Sequence, residues 1–203
     1  MSQENASSTS APTLDPAQQV KFDTARQKKD VGDQAFKSGD VQGALRSYHE
    51  ALMYLHGLNT TASQAASPAG GESTKNQNPE IDEMLEKIYN NMSACHMKQG
   101  NWQRALDTAD KALKKNEKNY KALFRKGKAL GELGYFEKSE KILEDLLQKN
   151  PSDAPIVNHE LTRLRAVEKE RERVANKKFK GFLLKEKKAE PVAEARIEEI
   201  TDP

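Results

Sequence analysis

Three cationic side chains follow one another between residues 120 and 151 at a spacing that places them side by side. Lys121, Arg125 and Lys128 stand at positions i, i+4 and i+7, and on an α-helix these positions share one face. Lysine and arginine donate charge-assisted hydrogen bonds, and carboxylates are among their usual acceptors. The spacing therefore indicates a surface that could hold an acidic group, provided that this stretch is helical.

The apolar residues of the same stretch support a helical hairpin. They recur at helical spacing in two blocks, with Gly134 between the blocks and Pro151 ending the second. The blocks contain Leu123, Phe124 and Leu130, and then Phe136, Ile142, Leu143, Leu146 and Leu147. A hairpin buries one face and leaves the other free, so the function is to be sought on the free face.

Two further hairpins precede this one and align on it. They cover about residues 17–56, with a turn at Ser38-Gly39-Asp40, and residues 81–117, with Gly100 at the turn. Ala105 lies 34 positions before Ser139, and Ala44 lies 61 positions before Ala105. Small residues at these equivalent positions let helices approach closely. The larger second spacing predicts a mobile insertion at 57–80, whose many Ser and Thr residues leave phosphorylation open.

The three hairpins, with the third at 120–151, predict an all-α solenoid of helix–turn–helix repeats spanning residues 17–175. A capping helix is predicted at 153–175, with Val157, Leu161 and Leu164 as its buried stripe. Residues 1–16 are polar and without periodicity, which predicts a disordered tail. A basic segment and an acidic tail follow at 176–203.

Composition argues against several functional classes. The net charge of +2 is too balanced to indicate nucleic-acid binding. A single cysteine, Cys95, allows no internal disulfide and is expected to be a small buried side chain. The four histidines, His49, His56, His96 and His159, show no metal-ligand or catalytic spacing. We therefore expect a monomeric cytoplasmic or nucleocytoplasmic protein without transmembrane segment, cofactor, metal or enzymatic activity.

The repeat period, the small-residue positions and Pro151 give the chain a resemblance to the tetratricopeptide repeat (TPR) superfamily from about Ala17 to Val174. YHEALMYLHGLN, followed by a long polar stretch, resembles the tetratricopeptide repeat protein 9 family and the TPR domain of large immunophilins. KALFRKGKAL is similar to the third repeat of those immunophilins and of other co-chaperones. The immunophilin prolyl-isomerase domain has no counterpart here, which argues against an isomerase.

The resemblance implies a specific binding site. Co-chaperone TPR domains hold the acidic C-terminal peptide of heat-shock protein 90 or 70 in a two-carboxylate clamp on their concave surface. The residues that match the clamp pattern here are Lys29, Asp33, Asn91, Lys121 and Arg125. Four of the five have the family's residue type, and Asp33 stands where the family has Asn. Lys128 is a possible addition to the same groove.

Other interpretations of these residues remain open. Lys29 and Asp33 are an i, i+4 pair that could serve only as a helix-stabilising ion pair, and Asn91 could satisfy a neighbouring backbone group. A carboxylate at Asp33 would repel a ligand carboxylate 4 Å away by about 1 kcal/mol in water and about 4 kcal/mol at an effective dielectric constant near 20. The groove is therefore expected either to bind the chaperone tail weakly or to serve another ligand.

The C-terminal part of the sequence supports an alternative function. The basic segment 176–188 carries Phe179 and Phe182 among lysines, a pattern that can bind calmodulin or an anionic membrane. The competing interpretation is that both phenylalanines pack on the last repeat. The acidic end, Glu198-Glu199-Ile200-Thr201-Asp202, faintly resembles a chaperone tail, so occupation of the groove by this chain itself is a further hypothesis.

Overall fold

The computed structural model describes residues 14–64 and 78–188, and the regular elements in these ranges are all helical. The helices are α1 (Pro16–Lys37), α2 (Val41–Gln64), α3 (Pro79–Lys98), α4 (Trp102–Lys115), α5 (Tyr120–Glu132), α6 (Phe136–Lys149) and α7 (Ala154–Lys188), and a 3-10 turn at Pro151–Asp153 precedes α7. The described chain through Val157 forms one compact unit, and the rest of α7 belongs to a second. The predicted all-α class, with three hairpins and a long C-terminal helix, is confirmed.

Each hairpin turns at a glycine in the left-handed region of backbone space. Gly39, Gly100 and Gly134 have φ values of 90°, 72° and 87° and connect α1 to α2, α3 to α4 and α5 to α6. A side chain at such a φ is strained, which is why glycine so often ends a helix. Gly134 follows Gly100 by 34 positions, so the period read from the sequence is also present in the backbone.

Small residues lie where the helices of a hairpin approach each other most closely. Ala44, Ala105 and Ser139, the three equivalent positions, are all fully buried. The Ser139 hydroxyl donates to the carbonyl oxygen of Gly127 at 2.7 Å, and the Ser93 hydroxyl donates to that of Ala105 at 2.8 Å. The predicted alignment of the repeats is therefore matched by equivalent close contacts in the second and third hairpins.

The first two hairpins share the main apolar core. Its most deeply buried side chains include Tyr48, Leu55, Leu85, Ile88 and Cys95. Burial raises the pKa of the Cys95 thiol to about 11, so this cysteine is an unreactive thiol at neutral pH. Its prediction as a small buried side chain is confirmed.

Helix α2 is longer than the sequence pattern predicted. Its expected end was His56, but it continues to Gln64, because Leu58 is buried one turn after Leu55 and extends the buried stripe. The predicted insertion at 57–80 is therefore wrong over residues 57–64, which are helical. The described part of the chain does not include residues 1–13, 65–77 and 189–203. Most of the predicted N-terminal tail, the core of the predicted insertion and the acidic tail fall in these ranges.

Helix α7 also exceeds its predicted length. It runs without interruption to Lys188 rather than ending near residue 175, and Gly181 lies within it. One glycine inside a helix costs only about 1 kcal/mol relative to alanine, and the surrounding Lys, Glu and Leu residues favour a helix. Phe179 and Phe182 are 62% and 61% exposed on this helix, and the interpretation that they pack on the last repeat stays a prediction.

The contact between α1 and α2 predicts the effect of one substitution. A Cβ atom at Gly32 would lie 2.6 Å from Cε1 of the buried Tyr48 ring. We expect Gly32→Ala to lower the free energy of unfolding by about 1–3 kcal/mol, because the ring has no space into which to move. Urea denaturation followed by circular dichroism measures this change.

Gly57→Ala is the matched control for Gly32→Ala. Gly57 lies within α2, and a Cβ atom added there would meet no side chain or neighbouring helix of the described chain within 4 Å. We expect this substitution to stabilise the protein by about 0.5–1 kcal/mol, the usual helical preference for alanine over glycine. Equal stability of the two variants would show that Tyr48 does not pack closely against α1.

Candidate functional site

The candidate site begins on α1, where Lys29 and Asp33 lie one helical turn apart. Lys29 Nζ lies 2.7 Å from Oδ2 of Asp33 and 2.8 Å from Oδ1 of the preceding acid, Asp30. The Lys29 side chain is only 17% exposed, so both contacts are partly shielded from water. Lys29 is therefore already paired with two carboxylates of its own helix.

Asp33 connects three helices through its carboxylate. Besides the contact with Lys29, its Oδ1 atom accepts a hydrogen bond from the Tyr48 hydroxyl of α2 at 2.6 Å and one from the Asn91 amide of α3 at 2.9 Å. Two of its three donors, Lys29 and Asn91, are residues that the resemblance assigns to a ligand carboxylate. Asp33 is therefore an internal carboxylate that already accepts hydrogen bonds from Lys29 and Asn91, the donors that a ligand carboxylate would need.

The surroundings of Asp33 keep it ionised. Burial on its own would raise its pKa, but hydrogen bonds from Lys29, Tyr48 and Asn91 and the charge of Lys29 lower the pKa below its ordinary value. For Tyr48, burial and the hydrogen bond to Asp33 raise the pKa, so its hydroxyl stays protonated and continues to donate. The internal carboxylate therefore remains charged at neutral pH.

This lowered pKa predicts how stability depends on pH. A depressed carboxyl pKa stabilises the fold above the ordinary value of 3.8, and that contribution is lost as the pH falls through the folded-state value. We expect Asp33→Asn to be less stable than wild type in urea at pH 7, and the difference to shrink as the pH falls below 3.8. A difference independent of pH would mean that ionisation of Asp33 does not contribute to stability.

Arg125 of α5 is held against α3 beside Asn91. Its Nη1 atom donates to the main-chain carbonyl of Asn90 at 3.0 Å and also to the side-chain carbonyl of Asn90. Burial lowers the pKa of the guanidinium, although an arginine remains charged at any physiological pH. Arg125 is thus a partly buried cation whose position is fixed by the residue that precedes Asn91.

Lys121 and Arg125 open onto a common cavity of about 420 Å³, here called the Lys121 cavity. Apolar side chains from four helices form much of its wall: Phe36 of α1, Ala94 and Met97 of α3, Phe124 of α5, and Ile156 and Val157 at the start of α7. Lys121 is exposed and has no ion pair within the described residues. The ammonium of Lys98 and the carboxylate of Asp153 also line it, so the cavity combines three cations and one carboxylate with apolar walls.

The predicted site residues fall into two adjoining groups. Lys29, Asp33 and Asn91 are bonded to one another, while Arg125 and Lys121 line the Lys121 cavity. The sixth predicted residue, Lys128, is half-buried and does not line that cavity. These placements bring the predicted residues near one another, but their role in binding a ligand stays a prediction.

Two residues of this site were not predicted to have a role in it. Neither Tyr48 nor Asn90 was singled out from the sequence for a role in binding. The hydroxyl of a buried tyrosine usually finds a partner, which was the one available signal for Tyr48. The position of Asn90 next to Asn91 gave no comparable signal, because its contact with Arg125 depends on how α3 and α5 pack.

The described residues contain no group of three or more His, Cys, Asp and Glu side chains that could hold a metal ion. None of the described helices combines the length and apolar character required to cross a lipid bilayer. Lys121 and Arg125 offer the site hydrogen bonding and ion pairing with an acidic group.

A family model described as tetratricopeptide repeat matches residues 96–159. The C-terminal TPR-containing domain of a Plasmodium falciparum protein described as an FK506-binding protein has a TM-score of 0.64 and 23% identity, over 78% of this chain and 97% of that domain. This similarity supports a common fold for the three hairpins.

Two similar structures were solved with chaperone ligands. The myosin chaperone UNC-45 from C. elegans, in complex with a Hsp90 peptide, has a TM-score of 0.55 and 24% identity, over 72% of this chain and 14% of that one. The TPR2B domain of yeast Sti1, in a complex with pHsp70, has a TM-score of 0.51 and 17% identity, over 70% of this chain and 97% of that one. At these identities the similarity concerns the fold alone.

Proposed function

We propose that this chain, whose residues 96–159 match a tetratricopeptide repeat model, is a non-enzymatic adaptor that binds the acidic C-terminal peptide of heat-shock protein 90 or 70. The Lys121 cavity would receive the acidic chain end. Ligands of this kind are named for the similar structures of UNC-45 and Sti1, which supports the same class of ligand here. A cytosolic location, expected from the sequence, belongs to the same proposal.

The observation that carries the proposal is the arrangement of Lys121 and Arg125. Both cations line one cavity, Lys121 without an ion pair in the described chain and Arg125 held in place by Asn90. A carboxylate there would accept a point-charge contact from Lys121 and a directional one from the guanidinium. The apolar walls, including Phe36 and Phe124, would contact the aliphatic side chains of the same peptide.

The internal carboxylate of Asp33 sets the expected strength of binding. Lys29 and Asn91 are bonded to it, so a ligand would have to displace Asp33 or depend on Lys121 and Arg125 alone. We propose that the second arrangement applies to this protein. Its affinity for an acidic chain end is then lower than that of a clamp in which all donors are available.

The proposal is tested with a single peptide in two chemical forms. SRMEEVD is the HSP90 peptide named for the first TPR of RPAP3, and it ends in an aspartate. We expect isothermal titration calorimetry to show saturable binding of the free acid, and amidation of its C-terminal carboxylate to weaken binding by about tenfold or more, since a charge-assisted hydrogen bond is lost. Equal binding of acid and amide would contradict recognition of the chain end.

The exposed end of α7 favours a second candidate function. Phe179 and Phe182 are solvent-exposed within a continuous helix that also carries Lys177, Lys178 and Lys180. Such a helix could bind calmodulin or an anionic membrane. We expect Phe179→Ser/Phe182→Ser to abolish binding to calmodulin or to phosphatidylserine vesicles and to leave SRMEEVD binding unchanged; absence of wild-type binding to both would remove this candidate.

A further inference from the structure

A second cavity, of about 590 Å³, lies between α2 and α4 and has α3 as its floor. We call it the His96 groove, after the most deeply placed histidine in it. No Cα atom of α2 lies within 8 Å of a Cα atom of α4 in the described chain, so the two walls stand apart and leave α3 accessible. None of the residues lining this groove belongs to the Lys121 cavity.

One end of the groove is satisfied by contacts within the chain. The His56 Nε2 atom lies 3.2 Å from the Tyr89 hydroxyl, within hydrogen-bond distance. The Lys111 ammonium lies 5.8 Å from the centre of the Tyr89 ring, where it makes a cation–π contact. The polar groups at this end therefore have partners and do not by themselves require a ligand.

The opposite end differs, because one buried polar atom there has no partner in the described chain and one arginine there makes no ion pair. His96 is only 5% exposed, and its buried Nδ1 atom has no hydrogen-bond partner in the described part of the chain. Burial lowers the pKa of His96, the nearby charge of Arg104 and the neighbouring His49 lower it further, and a hydrogen bond with Gln99 opposes the shift without cancelling it. The Arg104 side chain is exposed and makes no ion pair with any described residue. A buried polar atom without a partner is rare in folded proteins.

Apolar side chains separate the two ends. Leu52 and Met53 of α2 face Met92 of α3 across the middle of the groove, and Met53 is 76% exposed. On each helix the residues that mark the two ends of the groove are seven positions apart, which is about 10 Å along a helix axis. These pairs are His49 and His56 on α2, His96 and Tyr89 on α3, and Arg104 and Lys111 on α4. Asp107, the carboxylate that lines this groove, accepts a hydrogen bond from the Gln103 side chain at 3.2 Å.

We propose that the His96 groove binds a small amphiphilic organic anion. The carboxylate or phosphate head group lies among His96, Arg104 and His49, where it accepts hydrogen bonds from the imidazole and the guanidinium. The alkyl or aryl body lies along Leu52, Met53 and Met92. The cavity volume is within the range of about 300–1,000 Å³ that is usual for small-molecule sites. This site is independent of peptide binding at the Lys121 cavity.

Two eight-carbon anions test the proposal and distinguish the head groups. Octanoate and octyl phosphate are titrated below their micelle concentrations, with 1-octanol and inorganic phosphate as controls for the body and the head. We expect saturable binding of at least one of the two anions, with chemical-shift changes at the ring protons of His96 and His49 in the NMR spectrum. Binding of octanoate alone identifies a carboxylate site, and binding of octyl phosphate alone identifies a phosphate site.

Charge variants of exposed arginines locate the head group. We expect Arg104→Gln to weaken binding at least fivefold, and Arg104→Lys, which retains the charge, to weaken it less. Arg26→Gln, an exposed arginine of α1 outside the groove, is the matched control and should bind as wild type does. The proposal is overturned if neither anion binds, if 1-octanol binds as tightly as both anions, or if Arg104→Gln and Arg26→Gln bind equally.

Discussion

Replacing Lys121 and Arg125 together with alanine is expected to weaken binding of SRMEEVD by about 100-fold or more. A hydrogen bond to a charged group contributes about 1.5–3 kcal/mol, so losing two such bonds costs about 3–6 kcal/mol of binding free energy. The effect is large because the other cation that matches the clamp pattern, Lys29, is already paired with Asp33 and Asp30. Calorimetric titration of both proteins with the free-acid peptide measures it.

Single variants separate loss of ligand contact from damage to the fold. Arg125 also bonds Asn90, so its removal alters the contact between α5 and α3, whereas Lys121 has no ion pair in the described chain. Lys121→Ala alone should weaken binding by about tenfold, the loss of one charge-assisted bond, without changing the unfolding midpoint. Wild-type affinity in Lys121→Ala would contradict a role for this cavity in binding acidic peptides.

Lys126→Ala is the matched control on the same helix. Lys126 of α5 lies 2.7 Å from Asp110 and does not line the Lys121 cavity. Its removal changes the net charge by the same amount as Lys121→Ala but takes away only a partly exposed ion pair, a contact that contributes about 0–1 kcal/mol to stability. We expect its affinity for SRMEEVD to stay within about twofold of wild type, because distant surface charges are screened by salt.

The repeats could be predicted from the sequence because their signals are local. Gly100 and Gly134 mark turns one period apart, and the small residues Ala105 and Ser139 mark close helix contacts at the same spacing. These features depend on backbone conformation and side-chain size at single positions. Asp33 and Asn91 were assigned to one site by the resemblance to co-chaperone TPR domains, and the hydrogen bond between them is a contact that the sequence did not predict.

The remaining features depend on contacts between helices, which periodicity does not specify. Tyr48 bonds Asp33 because α2 packs on α1 through Gly32, so the hydroxyl reaches a carboxylate 15 positions earlier in the chain. The end of α2 depends on the burial of Leu58, which lies beyond the helix end predicted at His56. His49 of α2 and His96 of α3 are 47 positions apart in the sequence and come together only because α2 packs on α3.

Replacing Asp33 with asparagine is expected to tighten binding of SRMEEVD by about tenfold or more. The internal carboxylate holds Lys29 and Asn91, and a ligand carboxylate about 4 Å away would be repelled by about 1–4 kcal/mol, depending on the local dielectric constant. The asparagine amide removes that charge, takes away one of the two carboxylate partners of the Lys29 ammonium, and keeps an oxygen that can accept from Tyr48. Calorimetry should show the gain with the acid form of the peptide and a much smaller gain with the amide.

Asp30→Asn provides the matched control for this prediction. Asp30 contacts the same Lys29 ammonium at 2.8 Å, but its side chain is 65% exposed, and neither Tyr48 nor Asn91 bonds it. Both substitutions remove one negative charge from α1, so a general change of charge would tighten binding equally in both variants. A gain confined to Asp33→Asn would show that the internal carboxylate competes with the ligand. An unchanged or weaker affinity in Asp33→Asn would mean that Asp33 supports the groove rather than competing for it.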